Sequence, residues 1–333
     1  MTSATPSRIS GVRPLWGVEG GWLTISGDAF PVEPLPDVRV GSAAARVAAG
    51  SSRELKITVP AGLDGGRTPI RLDHLPGETV FVEIGAPLAT GLHQVDNPAF
   101  GPDGNLYVTF SGSRGQQTPV AVYVVRPDGT REPFASDLPN PTSLAFDRSG
   151  RLHVSSRFDG SVYRLAADGS SAVIATDLGV ACGIAFDADD VLFVGDRSGS
   201  ILRVDNGRAT IVATLPASVA AFHLAFAPDG ALFVTGPTLG TRDCIYRIGM
   251  DGSVSVFHEG LGRPQGMAFD VDGRLYVVDA LAGSGGLYRF EPGNSEPELL
   301  IACGGLVVVA VGPGALVVAS GETVYRFPAP SGV

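Results

Sequence analysis

Several features that mark common protein classes are missing from this sequence. Only three cysteines occur among 333 residues, at Cys182, Cys244 and Cys303, and no two of them have the CxxC spacing. Such scattered cysteines argue against a disulfide framework or a structural zinc site. No run of about 18 apolar residues is present to span a bilayer. The opening stretch MTSATPSRISGVRPLWG also lacks the apolar core of a signal peptide. We therefore expect a cytoplasmic protein that does not contact membranes.

Positive charge is also scarce. The chain has 24 Lys and Arg against 34 Asp and Glu, a formal net charge of −10, and no basic run. Nucleic-acid binding needs a concentrated positive field, so we expect no nucleic-acid partner. The sequence contains no Ser-His-Asp elbow, phosphate-binding loop or HExxH motif, and the chemistries that depend on them are not expected.

Glycine and proline, by contrast, are abundant. There are 45 Gly and 25 Pro, and 44% of the residues are hydrophobic. This composition is typical of many short strands joined by tight turns around a substantial core. A chain of this length usually forms more than one domain.

A short hairpin pattern recurs along most of the chain. In RPQGMAFDVDGRLYVVDA, from Arg263 to Ala280, two apolar strands flank an Asp-Gly turn. Aligned copies have an aromatic residue at the end of the first strand, and the sixth, degenerate copy has valine there. These positions are Phe100, Phe146, Phe186, Phe226, Phe269 and Val311. Subtraction gives spacings of 46, 40, 40, 43 and 42 residues.

Each hairpin is followed by a third strand, such as SVYRLAADG or CIYRIGMDG, and most by a fourth. Four strands in about 40 residues are typical of a propeller blade. The sequence therefore predicts a six-bladed β-propeller over residues 86–333. The sixth copy ends after its third strand, and APLATGL at Ala86–Leu92 has the pattern of the missing outer strand. We expect this segment to close the ring by pairing with the last blade.

Residues 1–85 have a different rhythm, with short alternating strands between Gly-Gly and Pro-Ala-Gly turns, as in a β-sandwich. The stretch from Ile9 to Ile84 resembles the IPT/TIG family of immunoglobulin-like domains. The resemblance depends on Pro14, Gly20-Gly21, Ile25-Ser26-Gly27, Phe30, Val40-Gly41, Val59-Pro60 and Gly65-Gly66. It implies a spacer or protein-contact domain without catalysis. The fold expected for the whole chain is all-β: an N-terminal IPT/TIG sandwich, then the propeller.

The propeller repeats resemble two groups of proteins. RPQGMAFDVDGRLYVVDA and ACGIAFDADDVLFVGD are similar to NHL-repeat propellers, which mostly bind partners. They are equally similar to the senescence-marker-protein/gluconolactonase/luciferin-regenerating enzyme family of six-bladed lactone hydrolases. The enzyme family implies a divalent metal, often calcium, in the central tunnel. Its ligands lie four residues before the strand aromatic, where side chains of different blades converge.

We call these six positions the inner positions. In this chain they are Asp96, Thr142, Cys182, Phe222, Gln265 and Val307. The family has Glu, Asn, Asn and Asp at four of them, whereas this chain keeps one carboxylate, Asp96. Calcium generally takes six to eight oxygen ligands, so the set is poor for calcium. The resemblance still names Asp96 as the candidate ligand of a divalent metal, calcium or another.

Other polar residues are placed near the expected tunnel mouth. His223 and His93 could lie close to Asp96, and a histidine with a carboxylate can act as a general base. Alternatively, His223 hydrogen-bonds the backbone of a neighbouring blade. Arg157 and Arg197 follow the second strands of two adjacent blades and could grip a carboxylate or phosphate.

The alternative for these arginines is ion pairing with Asp159 and Asp196. Long loops at Thr109–Ala121 and Thr235–Cys244, the second containing Arg242, could add recognition at the same face.

Two functions are therefore open. The first is a gluconolactonase-like hydrolase acting on a lactone or ester at the tunnel mouth. Asp96 would be a metal ligand or base, and His223 the acid/base or substrate donor. Substrate would be held by Thr142, Gln265, His93, Arg157, Arg197 and Arg242. The second is a non-catalytic NHL-type propeller that binds a small molecule or a protein. In either case the IPT/TIG domain could contact another protein.

Overall fold

The computed structural model describes residues 7–73, 79–280 and 285–329. Within these ranges the chain is all-β, with 33 strands and no helix. It follows that no helix in the described residues could cross a membrane.

Residues before position 86 form nine strands. They are β1 (Arg8–Arg13), β2 (Trp16–Gly17), β3 (Trp22–Asp28), β4 (Val38–Val40), β5 (Ala43–Ala45), β6 (Val47–Gly50), β7 (Glu54–Thr58), β8 (Gly66–Leu72) and β9 (Val80–Ile84). One sheet has the order β1-β3-β7-β6, and the second runs β2-β9-β8-β4-β5. Alternating residues such as Leu23 and Ile25 of β3 face a core shared by the two sheets, as expected for a half-buried strand.

The rest of the described chain forms six four-stranded units. Their strands are β10 (Ala86–Ala89), β11 (Ala99–Phe100), β12 (Leu106–Thr109), β13 (Val122–Val125), β14 (Arg131–Ala135), β15 (Pro141–Phe146), β16 (Leu152–Ser156), β17 (Ser161–Leu165), β18 (Ser171–Ala175), β19 (Ala181–Phe186), β20 (Leu192–Asp196), β21 (Ser200–Asp205), β22 (Arg208–Thr214), β23 (His223–Phe226), β24 (Leu232–Thr235), β25 (Ile245–Ile248), β26 (Val254–His258), β27 (Pro264–Phe269), β28 (Leu275–Asp279), β29 (Gly286–Phe290), β30 (Glu298–Ala302), β31 (Val308–Gly312), β32 (Ala315–Ala319) and β33 (Val324–Pro328).

Units 1 to 5 each contain four consecutive strands, beginning with β11, β15, β19, β23 and β27. Unit 6 has the order β10-β33-β32-β31. Its outer strand therefore comes from the segment that precedes unit 1, where the sequence predicts a closing strand. Ala86 pairs with Arg326 in this antiparallel contact.

In three of the six units, the aspartate after the conserved phenylalanine holds the turn of the inner hairpin. Asp270 accepts hydrogen bonds from the backbone N–H groups of Asp272 and Arg274, and Gly273 has a φ of 81°. Glycine adopts this left-handed conformation without the steric cost of a Cβ atom. The same aspartate geometry recurs at Asp147 and Asp187. The Asp-Gly motif thus forms the tight turn that the sequence predicts.

Neighbouring units pack through the repeated aromatic positions. Phe146 of unit 2 lies edge-on to Tyr107 of unit 1, with ring centroids 5.2 Å apart. Phe226 and Phe193 repeat the contact between units 4 and 3 at 5.1 Å. Each such pair adds about 0.5–1.5 kcal/mol beyond its buried area.

A separate apolar cluster fills each junction between consecutive units, including the junction between units 6 and 1. The units therefore form a closed, propeller-like ring.

Strand β2 connects the first 85 residues to this ring. We call the two sheets formed by residues 7–73 and 79–84 the first domain. Strand β2 runs parallel to both β9 and β30, so that one sheet continues from the first domain into unit 5. The Val18 N–H donates to the Ala302 carbonyl over 3.0 Å. Trp16 stacks on Phe327 with ring centroids 5.2 Å apart. Backbone pairing and aromatic packing together fix the first domain against units 5 and 6.

Candidate functional site

A cavity of about 350 Å³ lies where all six units meet. Each unit, or the segment that leads into it, contributes to its wall. One residue from each is His93, Arg157, Cys182, Ala221, Gln265 and Val307. A wall shared by every unit places this axial cavity on the ring's axis. Its volume is in the range that accommodates a small organic molecule.

Asp96 and His223 form a hydrogen-bonded pair directly behind this wall. Nδ1 of His223 is bonded to Oδ1 of Asp96, and the side chains are 1% and 3% exposed. Val95 and Ala221, which line the cavity, are one and two residues from the pair in the chain. The sequence predicts these residues near each other, and the structure brings them together. His223 does not take the alternative role of binding a neighbouring backbone through Nδ1.

The surrounding elements hold both partners in place. His223 is the first residue of β23 and pairs with Thr235 of β24. The Asn97 N–H donates to Asp96 Oδ1 over 2.7 Å. In the neutral tautomer whose Nδ1 donates to the carboxylate, Nε2 keeps a lone pair. Among the described residues, the one hydrogen bond of the His223 ring is that of Nδ1, and none is made by Nε2. The arrangement is that of a general base oriented by a carboxylate.

Arg157 and Arg197 line the same cavity. Arg157 Nη2 donates to the Gly112 carbonyl over 3.0 Å. Arg197 donates from Nε to Ser218 and from Nη2 to Val219, over 3.2 and 2.6 Å. Neither guanidinium lies within ion-pairing distance of a carboxylate in the ranges that the structure covers.

The ion pairs considered from the sequence are therefore not formed. Asp159 instead bonds the Tyr163 hydroxyl, and Asp196 accepts from the Val180 N–H over 2.8 Å. Asp279 caps the equivalent turn of unit 5 through the N–H groups of Gly262 and Arg263. Asp196 and Asp279, which end β20 and β28, thus satisfy backbone N–H groups of turns.

The other predicted binding residues are divided between the cavity and its surroundings. His93 is exposed at the cavity and lies against Phe110, and Gln265 is half-buried in the wall. Thr142 is fully buried, does not line the cavity, and donates to the Asn140 carbonyl over 3.1 Å. Arg242 is exposed in its loop and is likewise not part of the cavity wall.

Gln94 is a cavity residue that the repeat alignment does not identify. Its side chain is 5% exposed, and neither amide atom has a hydrogen-bond partner. Three consecutive residues, His93, Gln94 and Val95, line the cavity, so a two-residue alternation would not have identified Gln94.

The donor set at the inner positions does not fit the metal that the sequence resemblance implies. Asp96 is bonded to His223 and Asn97, and the Thr142 hydroxyl is bonded to a carbonyl. Burial, followed by the nearby negative charge of Asp96, raises the pKa of the Cys182 thiol to about 12. The neutral thiol is a poor ligand, because metals bind the thiolate. Phe222 and Val307 offer no side-chain donor.

Over the described ranges, no group of three or more His, Cys, Asp or Glu side chains could hold a metal ion. Calcium requires several anionic oxygens, and Asp96 is the single carboxylate at the inner positions. The metal stays a prediction that these residues do not support, and no step proposed below uses it.

Comparison with known proteins gives matches to solved structures only. No protein-family model matches the chain, and no curated protein matches it. A gluconolactonase from Xanthomonas campestris is 16% identical, with a TM-score of 0.61 over 92% of this chain and 98% of that one. A protein of unknown function from Bacteroides thetaiotaomicron is 14% identical, with a TM-score of 0.58 over 98% of each chain.

An auxiliary nutrient binding protein from Bacteroides ovatus is 13% identical, with a TM-score of 0.54 over 98% of this chain and 99% of that one. At these identities the similarity shows the fold and not the activity. The structural neighbours, which include a gluconolactonase, therefore support a propeller-type fold for this chain.

Proposed function

We propose that residues 86–333 form a six-bladed β-propeller and residues 1–85 an IPT/TIG-like domain. The six four-stranded units and the apolar cluster at each junction support the propeller. The two packed sheets of the first domain support an immunoglobulin-like sandwich.

We further propose a metal-independent hydrolase that opens a lactone or ester in the axial cavity. The Asp96–His223 pair carries this proposal, because a carboxylate-bound histidine with an unpartnered Nε2 is suited to general-base chemistry. Nε2 takes a proton from water, and the water oxygen forms a bond to the carbonyl carbon. The carbon–oxygen bond to the leaving group then breaks. The proton passes from Nε2 to the leaving oxygen, giving an acid and an alcohol. Gln265 and His93 would orient the substrate from the wall.

Turnover of a lactone and aryl-ester panel tests this proposal. His223→Gln and Asp96→Asn should each lower kcat/KM at least 100-fold, since general-base catalysis contributes about 10²–10⁴ in rate. His258→Gln, which changes a histidine on β26 away from the cavity, is the matched control and should retain activity. A chelator should leave wild-type turnover unchanged. Loss of turnover to chelator, or an active His223→Gln variant, would contradict the mechanism.

The burial of the pair favours a second candidate, a binding protein without catalysis. A catalytic base must touch its substrate, and His223 is only 1% exposed. The similarity to an auxiliary nutrient binding protein extends over nearly the whole chain and is consistent with this alternative. Ligand binding in the cavity with no turnover of any panel member would establish this second function.

A further inference from the structure

We propose that the axial cavity binds an oxyanion, a carboxylate or a phosphate, between Arg157 and Arg197. The chemical identity of the rest of the ligand rests on the proposed hydrolase function. The substrate would then be a lactone or ester that carries a second, ionised acid group.

The two guanidinium groups are held in position without being neutralised. Backbone carbonyls fix each group from one side, at Gly112 for Arg157 and at Ser218 and Val219 for Arg197. A carbonyl orients a guanidinium but carries no charge. The remaining N–H groups are therefore available to a ligand, and their planar fork matches an oxyanion.

Arg157 is partly buried, and its hydrogen bonds are incomplete. Its Nε atom is buried and has no hydrogen-bond partner. Burial lowers the pKa of its guanidinium, and the positive charges of Arg197 and Arg114 lower it further, although Cys182 acts in the opposite direction. A bound anion would satisfy the unpartnered N–H and compensate the repulsion between the arginines.

Gln94 provides an independent indication of a ligand. Both atoms of its amide are buried without partners although the side chain lines the cavity. An amide that is buried without a hydrogen-bond partner carries a free-energy cost. A polar ligand would remove this cost by accepting from Nε2 and donating to Oε1. The cavity wall is thus completed by a ligand that has both an anionic and a neutral polar part.

Calorimetric titration with two probes tests the anion site directly. Tetrahydrofuroate is a ring carboxylate that cannot be hydrolysed, and inorganic phosphate represents the alternative oxyanion. We expect the wild-type chain to bind at least one of them. Arg157→Gln and Arg197→Gln should each weaken that binding about tenfold or more, the loss expected for a charge-assisted bond. Arg208→Gln, on an exposed outer strand, removes the same charge elsewhere and should bind as the wild type does.

If tetrahydrofuroate binds more tightly, the site selects a carboxylate, and if phosphate binds more tightly, it selects a phosphate. Either result supports the anion site. If a Gln variant melts early, Arg157→Lys and Arg197→Lys keep the charge without the planar fork and should still bind more weakly than the wild type. The proposal would be overturned if neither probe binds to the wild-type chain. It would also be overturned if both the Arg157 and the Arg197 variants bind the probe with wild-type affinity.

A pair of substrates separates this inference from the hydrolase proposal. γ-Butyrolactone and its γ-carboxylate differ only in the acid group, and we expect the carboxylate to have at least tenfold higher kcat/KM. Anion binding without hydrolysis of either compound would leave the anion site standing and reject the hydrolase. Equal hydrolysis of both compounds, with no anion binding, would reject the anion site and leave the hydrolase.

Discussion

At the scale of single residues, the inter-unit ring contact explains the aromatic position of the sequence repeat at four of the six junctions. Phe146, Phe226 and Phe269 each lie edge-on to an aromatic residue of the preceding unit, 5.1–5.2 Å between ring centroids. His153 occupies the equivalent second-strand position in unit 2 and lies 4.7 Å from Phe186. The titratable imidazole of His153 thus takes the place of a phenyl or phenol side chain at the junction between units 2 and 3.

We predict that His153 makes stability depend on pH. Burial lowers its pKa from 6.5 in the folded chain, only partly offset by Asp147. The unfolded chain therefore binds a proton more readily, and stability falls as pH drops below about 6.5. The loss levels off below the folded pKa. His153→Phe should remove this part of the dependence, as measured by urea unfolding between pH 7.5 and pH 5. Equal pH dependence in the two proteins would contradict the assignment.

Some residues of the candidate site could be placed from the sequence alone, and others could not. The alignment of inner positions placed Asp96 beside the axis and His223 near it, because a repeated strand puts equivalent residues at equivalent places. The unpaired state of Arg157 and Arg197 could not be predicted, since it depends on which carbonyls of distant loops reach them. Gln94 lies outside the repeat pattern altogether.

At the scale of strands and hairpins, polar side chains link one unit to the next near the axis. Asn97 precedes β11 of unit 1, yet its Nδ2 donates to the Met267 carbonyl of unit 5 over 2.7 Å. Its Oδ1 accepts from the Val309 N–H of unit 6 over 3.1 Å. One amide therefore connects three units. A Cβ atom at Gly266 would lie 2.4 Å from that Oδ1, so the glycine makes room for the link.

Asn97→Ala should destabilise the chain by about 2–6 kcal/mol. The substitution leaves two backbone groups in the interior without a partner, each costing about 1–3 kcal/mol. Denaturant unfolding measures the change. Asn105→Ala is the control. The Asn105 side chain bonds within its own turn, to Asp103, and the variant should lose less than about 1 kcal/mol. Equal losses in both variants would show that Asn97 does not link the units.

The hairpins themselves were predictable because their signals are local. An apolar stretch, an Asp-Gly turn and a second apolar stretch determine one element within about a dozen residues. Strand β2 was not predictable in this way. It has two residues, and its partners β9 and β30 lie far along the chain. Its pairing depends on the docked arrangement of the first domain and unit 5.

At the scale of the whole molecule, close backbone approach joins the first domain to the ring. A Cβ atom at Gly21 would lie 2.2 Å from the Ala302 carbonyl oxygen, which accepts the hydrogen bond from Val18. Gly21 has no positive φ. The constraint is therefore the space between the domains and not the conformation of the glycine.

Gly21→Ala should loosen the docking of the first domain. We expect the wild-type chain to unfold in one calorimetric transition, because a shared sheet and an apolar contact couple the two parts. The variant should show two transitions, with the lower shifted by several degrees. Gly11→Ala, which meets no atom within 4 Å, is the matched control and should keep a single transition. Two transitions in the wild type, or one in Gly21→Ala, would show that the interface does not couple the domains.

Because β10 pairs with β33, unit 6 can close only when nearly the whole chain has been synthesised. Strand β10 ends at Ala89 and its partner β33 begins at Val324, a separation of 235 residues by subtraction. At a ribosomal rate of about 5–20 residues per second, β10 waits roughly 10–50 s for the strand that it pairs with. During that interval the nascent ring is open, and β10 presents an unpaired edge beside the newly made first domain. Translation speed and chaperone access over the last two units are thus expected to decide how much of this chain reaches its folded state.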